Sequence, residues 1–497
     1  MRYMLVAHRY LAVAVGLLMT LWCLSGFVMM YQAFPEQTRE QQLRGLQPLE
    51  LADCCNLSLL PIDDDAPAPA FRVEMLLGEP VLRMPSQVVK LRSGFSLAPL
   101  DEAEVMQVAR SWAAGNTPGA NPVSAGVIDI DQWTIQSARR NQPVHHLHMN
   151  DPAATEIYIN GRTGEVFQKT TRRERVLSWI GVIPHWLYPT LLRQNGALWV
   201  EVVIWTSVAG SFLTATGIYV GIGRWRVRRQ RLRVQPDNRS RVSPYRGMWY
   251  WHHMLGLVFG VLTLTWVFSG LMTMNPWGAL SSRGGAEYRE ALLGQAEWRD
   301  VRSFLSAASD AQQRGELPET LASLESRVFA GALQVMAGMP ERATPLRLDA
   351  AAQPATPVTA EQVRQMLGRD GRALQDVTLM DQEDAYYYAH KTPIEMPVIR
   401  AIMADDERTR VYVGPQSANV RTLSETGRTS RWIRTGLHRL DFSFMKSRPL
   451  WDILVILLLA GVTCLCATGT WMSFQRIRRD FKALARARRR RAARSAG

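Results

Sequence analysis

Nine histidines are the residues of this 497-residue chain whose type and placement suit chemistry: His8, His145, His146, His148, His185, His252, His253, His390 and His438. A neutral imidazole carries one N–H donor and one lone pair, and through the lone pair it ligates transition metals. His8, His185, His252 and His438 stand close to long apolar stretches, where an ionisable side chain is costly and tends to mark function. For any one of them alone, the competing reading is an interfacial residue that reaches toward lipid headgroups. His145, His146 and His148 form the run HHLHM. On a strand His146 and His148 share a face, a spacing that suits a metal ion. The sequence shows no partner carboxylate or cysteine beside them, so a solvated strand competes with an outer metal site. His390 has no readable role.

The elements that must position these residues are apolar. Stretches near 3–31, 197–222, 249–273 and 449–475 each reach the roughly 20 residues that cross a hydrocarbon core of about 30 Å. The first follows Arg2 and Arg9 as a signal peptide does. Its apolar run continues to about Met30 and ends without a small-x-small cleavage site, so a retained anchor is expected.

The chain carries a net charge of +14, which invites a nucleic-acid reading. The location of the charge excludes it. Segments 223–247 and 475–497 hold nineteen cations against two acids, Asp237 and Asp480, a balance of +17 that leaves the remainder slightly acidic. Both segments adjoin apolar stretches, the pattern of loops on the cytoplasmic side of a membrane. The expected partner is a lipid bilayer, not nucleic acid. The expected location is a bacterial inner membrane, crossed four times, with both termini cytoplasmic and two large regions periplasmic.

The chain also repeats itself. HRYLAVAVGLLMTLWCLSG from His8 aligns with HHMLGLVFGVLTLTWVFSG from His252, pairing Leu11 with Leu255, Ala12 with Gly256, Gly16 with Gly260, Ser25 with Ser269 and Gly26 with Gly270. Trp199 leads to Ala215-Thr216-Gly217 at the spacing by which Trp451 leads to Ala467-Thr468-Gly469. His185 precedes the first of these tryptophans and His438 the second. Two parallel repeats of helix, outer region, histidine segment and helix are therefore predicted. The expected boundaries are a helix at 1–31, an outer module at 32–184, a histidine segment and helix at 185–222, a basic loop at 223–247, a helix at 248–274, an outer module at 275–437, a histidine segment and helix at 438–475, and a basic tail at 476–497.

Each outer region reads as a small α+β module. Residues 155–167 and 409–423 have hairpin character, and helical windows precede them at 100–113 and 359–367. Stretches 61–70 and 350–357, rich in Pro and Ala, read as linkers.

Repeat and topology together sort the histidines into two pairs. His8 and His252 meet at the cytoplasmic side, and His185 and His438 at the outer side. His253 competes with His252, since one residue turns a helix face by about 100° and both cannot enter one slot. Two imidazoles facing each other across an apolar bundle are what a six-coordinate haem iron needs. Two b-type haems are expected, stacked across the bilayer. Arg431, Arg434 and Arg439 are candidates to pair with outer haem propionates. There is no C-x-x-C-H for covalent haem attachment, and no flavin, nicotinamide or Walker signature. Cys54 and Cys55 are sequence neighbours, which rarely form an unstrained disulfide, so incidental cysteines are expected. The electron donor is then a quinol or a cytoplasmic protein.

The H-R-Y-L opening, the spans ending in T-G, the outer hairpins, and RTSRW at 428–432 with GLHRLDF at 436–442 resemble the PepSY-associated transmembrane proteins. The resemblance implies an integral membrane α-helical fold with four transmembrane helices and two extracytoplasmic PepSY-like modules. It implies His8, His252, His185 and His438 as haem ligands and a ferric siderophore reductase that releases ferrous iron, with the ferric chelate as substrate. The HHLHM run lies outside the family pattern. Two other readings compete: a non-enzymatic PepSY-type protein that binds peptides or regulates a protease, and a metal or haem permease.

Overall fold

The computed structural model describes residues 1–52, 54–55, 63–234, 242–282, 284–389, 393–445 and 447–495. His390 and part of the basic loop, residues 235–241, lie outside the described residues. The chain divides into two compact units. Residues 1–34, 176–281 and 429–497 form a helical unit, and residues 35–175 with 282–428 form a sheet unit.

Four helices in the helical unit are long and apolar enough to cross a membrane: Arg2–Met29, Gly196–Val234, Met248–Thr273 and the fourth, whose apolar span is Leu450–Arg486. At about 1.5 Å per residue each exceeds the thickness of a hydrocarbon core. The second and fourth do not stop at the apolar edge. They run on through Arg- and Ala-rich sequence as far as Val234 and Ser495, because these are good helix formers and no proline intervenes. The four pack in a ring, first against second, second against third, third against fourth and fourth against first. Leu17, Leu21, Phe212, Val258, Val261 and Leu457 face outward and are exposed, while Gly16, Ser25, Gly210, Thr214, Gly260 and Ser269 are buried. This is the reverse of a soluble bundle and suits lipid, where small residues let helices approach closely.

Strand alternation builds the sheet unit. In its first segment β4 (Val123–Ile128), β5 (Val144–His148), β6 (Glu156–Asn160) and β7 (Val166–Thr170) form a four-stranded antiparallel sheet. The helix Glu102–Asn116, capped by Asp101, packs Val105, Ala109 and Trp112 with Leu147, Ile157 and Ile159 in one core. In the second segment β11 (Leu374–Met380), β12 (Val398–Met403), β13 (Arg410–Val413) and β14 (Val420–Leu423) do the same. Its helix Ala360–Leu367 has a capping box at Thr359 and buries Val363 and Leu367 with Ile399, Ala401 and Val411.

A third sheet was not anticipated by the sequence. Strands β1 (Arg72–Leu76), β2 (Glu79–Arg83) and β3 (Val88–Lys90) join β8 (Ser323–Phe329), β9 (Ala332–Gly338) and β10 (Leu346–Leu348) in the order β10-β9-β8-β1-β2-β3. The join is β1 against β8, with Val73 opposite Leu324 and Glu74 opposite Ser323. Residues 66 and 68 of the expected linker pack against this core. The two neighbouring cysteines are not incidental, as Cys54 is disulfide-bonded to Cys55.

Glu74 anchors this shared sheet. Its carboxylate is almost fully buried and accepts hydrogen bonds from Arg72 Nε, at 2.7 Å, and from Arg83 Nε. Arg72 also reaches Glu165 at 2.7 Å. Burial alone would raise the Glu74 carboxyl, but Arg83 and Arg72 outweigh it and hold it below the ordinary carboxylate range. Glu74→Gln should cost about 3–5 kcal/mol at neutral pH, because the buried Arg83 loses its counter-charge and Arg72 is left with Glu165 alone. A depressed carboxyl contributes stability above its unfolded value, about 4.3, and loses it as pH falls further. The gap in denaturation midpoint between wild type and Glu74→Gln should therefore close below about pH 4. A gap that persists unchanged into acid would show that the carboxylate charge is not the source.

Candidate functional site

The helical unit brings four histidines together as two pairs. The ring centres of His8 and His252 are 6.3 Å apart, and those of His185 and His438 are 6.2 Å apart. His8 lies on the first helix and His252 on the third. His185 lies on a short helix, Val182–Trp186, that ends in left-handed Leu187, and His438 follows a π-helical segment, Arg431–Leu437.

All four rings are held by the same nitrogen. His8 Nδ1 donates to the Leu213 carbonyl at 3.0 Å. His185 Nδ1 lies 3.1 Å from the Trp22 carbonyl and 3.1 Å from Ser25 Oγ. His438 Nδ1 lies 3.3 Å from the Trp266 carbonyl and 3.2 Å from Ser269 Oγ. His252 Nδ1 lies 3.1 Å from Thr468 Oγ1. A carbonyl only accepts. Ser25, Ser269 and Thr468 each donate their hydroxyl proton to a backbone carbonyl (of Trp22, Trp266 and Leu465), so toward the imidazoles they too accept. Each ring therefore carries its proton on Nδ1 and keeps a lone pair on Nε2.

His253 is built differently. Its Nε2 donates to the Gly221 carbonyl at 2.9 Å, and its Nδ1 meets Ser243 Oγ at 2.8 Å. Both nitrogens are engaged within the chain, so His253 is no substitute for His252.

Glycines make room for the rings. A Cβ on Gly217 would stand 2.7 Å from His8 Cε1, one on Gly469 3.1 Å from His252 Cε1, and one on Gly270 3.2 Å from His438 Cε1. Next to His8, His252 and His253 lies a cavity of about 350 Å³ whose lining includes Arg9, Arg224, Arg476 and Arg479. Of the arginines expected near the other pair, Arg431 Nη2 donates to the Asp441 carbonyl and Arg434 Nε to the Met272 carbonyl. Two further groups at that layer escaped the sequence reading. Trp22 Nε1 and Trp266 Nε1 are buried and, among the described residues, find no hydrogen-bond acceptor. Both tryptophans fall fourteen positions after the aligned histidines, His8 and His252, so the repeat alignment itself held the signal.

In the sheet unit His146 and His148 do have a carboxylate partner. Glu156, on the neighbouring strand, places Oε2 3.2 Å from His146 Nε2 and Oε1 3.7 Å from His148 Nδ1. The hairpin at 155–167 was read from the sequence, but the pairing of β5 with β6 that sets Glu156 opposite His148 depends on register.

The sequence pattern of the PepSY-associated TM region matches residues 5–335, well over half of the chain. No curated protein matches the chain significantly.

The glycine contacts yield a test. Gly217→Ala should lower stability by about 1–3 kcal/mol by overpacking against His8. Gly256→Ala should be nearly neutral, since its Cβ would meet Leu465 at an ordinary 3.7 Å. In thermal melts of the detergent-purified protein, Gly217→Ala combined with His8→Ala should cost less than the two changes added. Strict additivity would mean that the ring is not what the glycine accommodates.

Proposed function

The chain belongs to the PepSY-associated TM family, and from that membership we propose that it is a transmembrane electron-transfer protein. It would hold two b-type haems and reduce an extracytoplasmic ferric chelate of the siderophore class.

The spacing of the imidazole pairs carries this reading. A metal–imidazole bond of about 2 Å plus roughly 1.1 Å from ring nitrogen to ring centre, taken twice, would let two imidazoles share one iron with their ring centres up to about 6.2 Å apart. The pairs stand at 6.3 and 6.2 Å. The donor set fits as well. All four Nδ1 protons are held by carbonyl or hydroxyl oxygens, the support that metal-ligating histidines usually have, and four Nε2 lone pairs remain for iron. Haem bound at each pair would supply one-electron ferric/ferrous chemistry.

The chain's own residues have definable tasks. His8 and His252 would hold one group, and His185 and His438 the other. The Nδ1 bonds fix the tautomer and the direction of the rings. Gly217, Gly469 and Gly270 let the rings lie against the neighbouring helices. Arg9, Arg224, Arg476 and Arg479 offer guanidinium groups to carboxylates entering the adjoining cavity. The indole N–H groups of Trp22 and Trp266 offer two donors to an acceptor at the other layer.

The arginine clusters orient the helices with 223–247 and the C-terminal tail in the cytoplasm. Residues 35–175 and 282–428 then lie outside, and the bilayer is an inner membrane. Electrons would enter from a quinol or a cytoplasmic protein and leave one at a time to ferric iron. Ferrous iron is a softer ion that hard oxygen chelators hold less well, so reduction releases it.

The test is an absorption spectrum of the detergent-purified chain, oxidised and dithionite-reduced, with pyridine haemochrome quantification. Two haem b per chain are expected. His8→Ala and His252→Ala should each lose the same haem, and His185→Ala and His438→Ala the other. A colourless wild type, or haem content indifferent to all four changes, would overturn the reading.

A further inference from the structure

The sheet unit carries a second cluster of metal-ligating groups, in a place the helical site does not use. His146 and His148 project from one face of β5, and Glu156 projects from β6 directly opposite His148. The three ligand atoms lie within 4.8 Å of one another. Around an ion with bonds of about 2.1 Å, tetrahedral ligand atoms stand roughly 3.4 Å apart. The two Glu156 oxygens stand at comparable separations, Oε2 3.2 Å from His146 Nε2 and Oε1 3.7 Å from His148 Nδ1.

The cluster is preorganised. The His146 ring stacks on Tyr158 at 4.6 Å with an interplanar angle of 2°. Glu156 Oε1 is 3.1 Å from Arg175 Nη2. Arg175 is itself anchored to Thr170 Oγ1 at 2.8 Å and to the Ala154 carbonyl at 3.0 Å. That guanidinium steadies Oε1, while Oε2 faces His146 and accepts from the Tyr158 hydroxyl at 3.3 Å. Such secondary contacts are usual for ligating carboxylates. His148 is half exposed, which gives an ion a way in and room for water.

The companion sheet shows that the fold does not require these three residues. Tyr412 bonds Asp384 at 2.8 Å as Tyr158 bonds Asp131 at 2.7 Å. Thr409 is held by Asp405 as Thr155 is by Asp151. With Tyr412 aligned on Tyr158, the strand register sets Arg400, Ile402 and Arg410 at the places of His146, His148 and Glu156. Between these two sheets the framework recurs, while among the described residues the ligand set does not.

We propose that His146 Nε2, His148 Nδ1 and a Glu156 carboxylate oxygen bind one divalent first-row transition-metal ion, with water completing its coordination. Two imidazoles and one carboxylate suit zinc, ferrous iron, cobalt or nickel, while calcium and magnesium prefer an all-oxygen shell. Under the proposed function the site would receive the ferrous product of reduction. Metal binding itself requires neither haem nor electron transfer.

The probe is zinc ion, which is redox-inert. The full chain, purified in detergent and stripped with EDTA, is titrated with zinc by calorimetry. One ion per chain is expected, undisturbed by excess magnesium. Glu156→Gln, His146→Ala and His148→Ala should each weaken binding at least tenfold, as loss of a ligand exceeds the 10–100-fold cost typical of losing a supporting contact. The half-exposed His148 makes its variant the least disturbing to the fold, and unchanged far-ultraviolet dichroism and melting would certify it. The same affinity in that variant as in wild type overturns the proposal, as does a wild type that takes up no stoichiometric zinc or yields it to magnesium. Haem content plays no part in either outcome, so failure here is separable from failure of the electron-transfer reading.

Discussion

In hydrocarbon a polar nitrogen without a partner costs several kcal/mol, and water is not there to supply one. Each of the four paired imidazoles answers this constraint with a neighbouring helix. His8, on the first helix, bonds the second at Leu213; His185, which leads into the second, bonds the first at Trp22 and Ser25. His252, on the third helix, bonds the fourth at Thr468; His438, which leads into the fourth, bonds the third at Ser269 and Trp266. The Nδ1 bonds thus tie the first helix to the second and the third to the fourth. The rings themselves pair across the line between these two halves, His8 with His252 and His185 with His438. With Nδ1 fixed, each Nε2 keeps its lone pair, while the halves themselves are joined by direct packing of the first helix on the fourth and the second on the third.

The same constraint explains the small residues. The His8 and His252 rings stand close against the helix that holds their Nδ1 partner, and a Cβ at Gly217 or Gly469 would crowd them. Ser25 and Ser269 are buried for a related reason. A hydroxyl that donates to the carbonyl three residues back can still accept from the ring. The repeated Ser-Gly and Ala-Thr-Gly motifs therefore reflect ring placement as much as helix packing.

How far the sequence revealed this depended on the range of the interaction. Spans, charge asymmetry and the matched histidines are local or periodic features, and they marked His8, His252, His185 and His438. Nothing local distinguishes the Trp22 carbonyl from any other, nor says that its indole N–H is buried without an acceptor. The shared sheet was hidden because β1 pairs with β8 some 250 residues later, and strand alternation states which face is buried but not which strand lies alongside. Glu156 was hidden by the same gap at shorter range. It sits ten residues from His146, yet only the β5–β6 register makes them neighbours. The repeat alignment with His8 favours His252 over its neighbour, and in the structure Ser243 and Gly221 occupy both nitrogens of His253.

The two units use their internal likeness in opposite ways. In the helical unit the matched positions hold the same chemistry: histidine faces histidine, and the supporting serines, glycines and tryptophans recur with them. In the sheet unit the framework recurs, with Tyr158–Asp131 answered by Tyr412–Asp384, while the groups beside it diverge from His146, His148 and Glu156 to Arg400, Ile402 and Arg410. Arg400 and Arg410 both approach Asp384, at 3.8 and 3.3 Å, so the second sheet presents cations where the first presents lone pairs. A bundle with equivalent halves cannot by itself distinguish one soluble reactant from another. Unlike surfaces are found in the two four-stranded sheets: two imidazoles and a carboxylate lie together on one, and arginines paired with Asp384 occupy the matching places on the other.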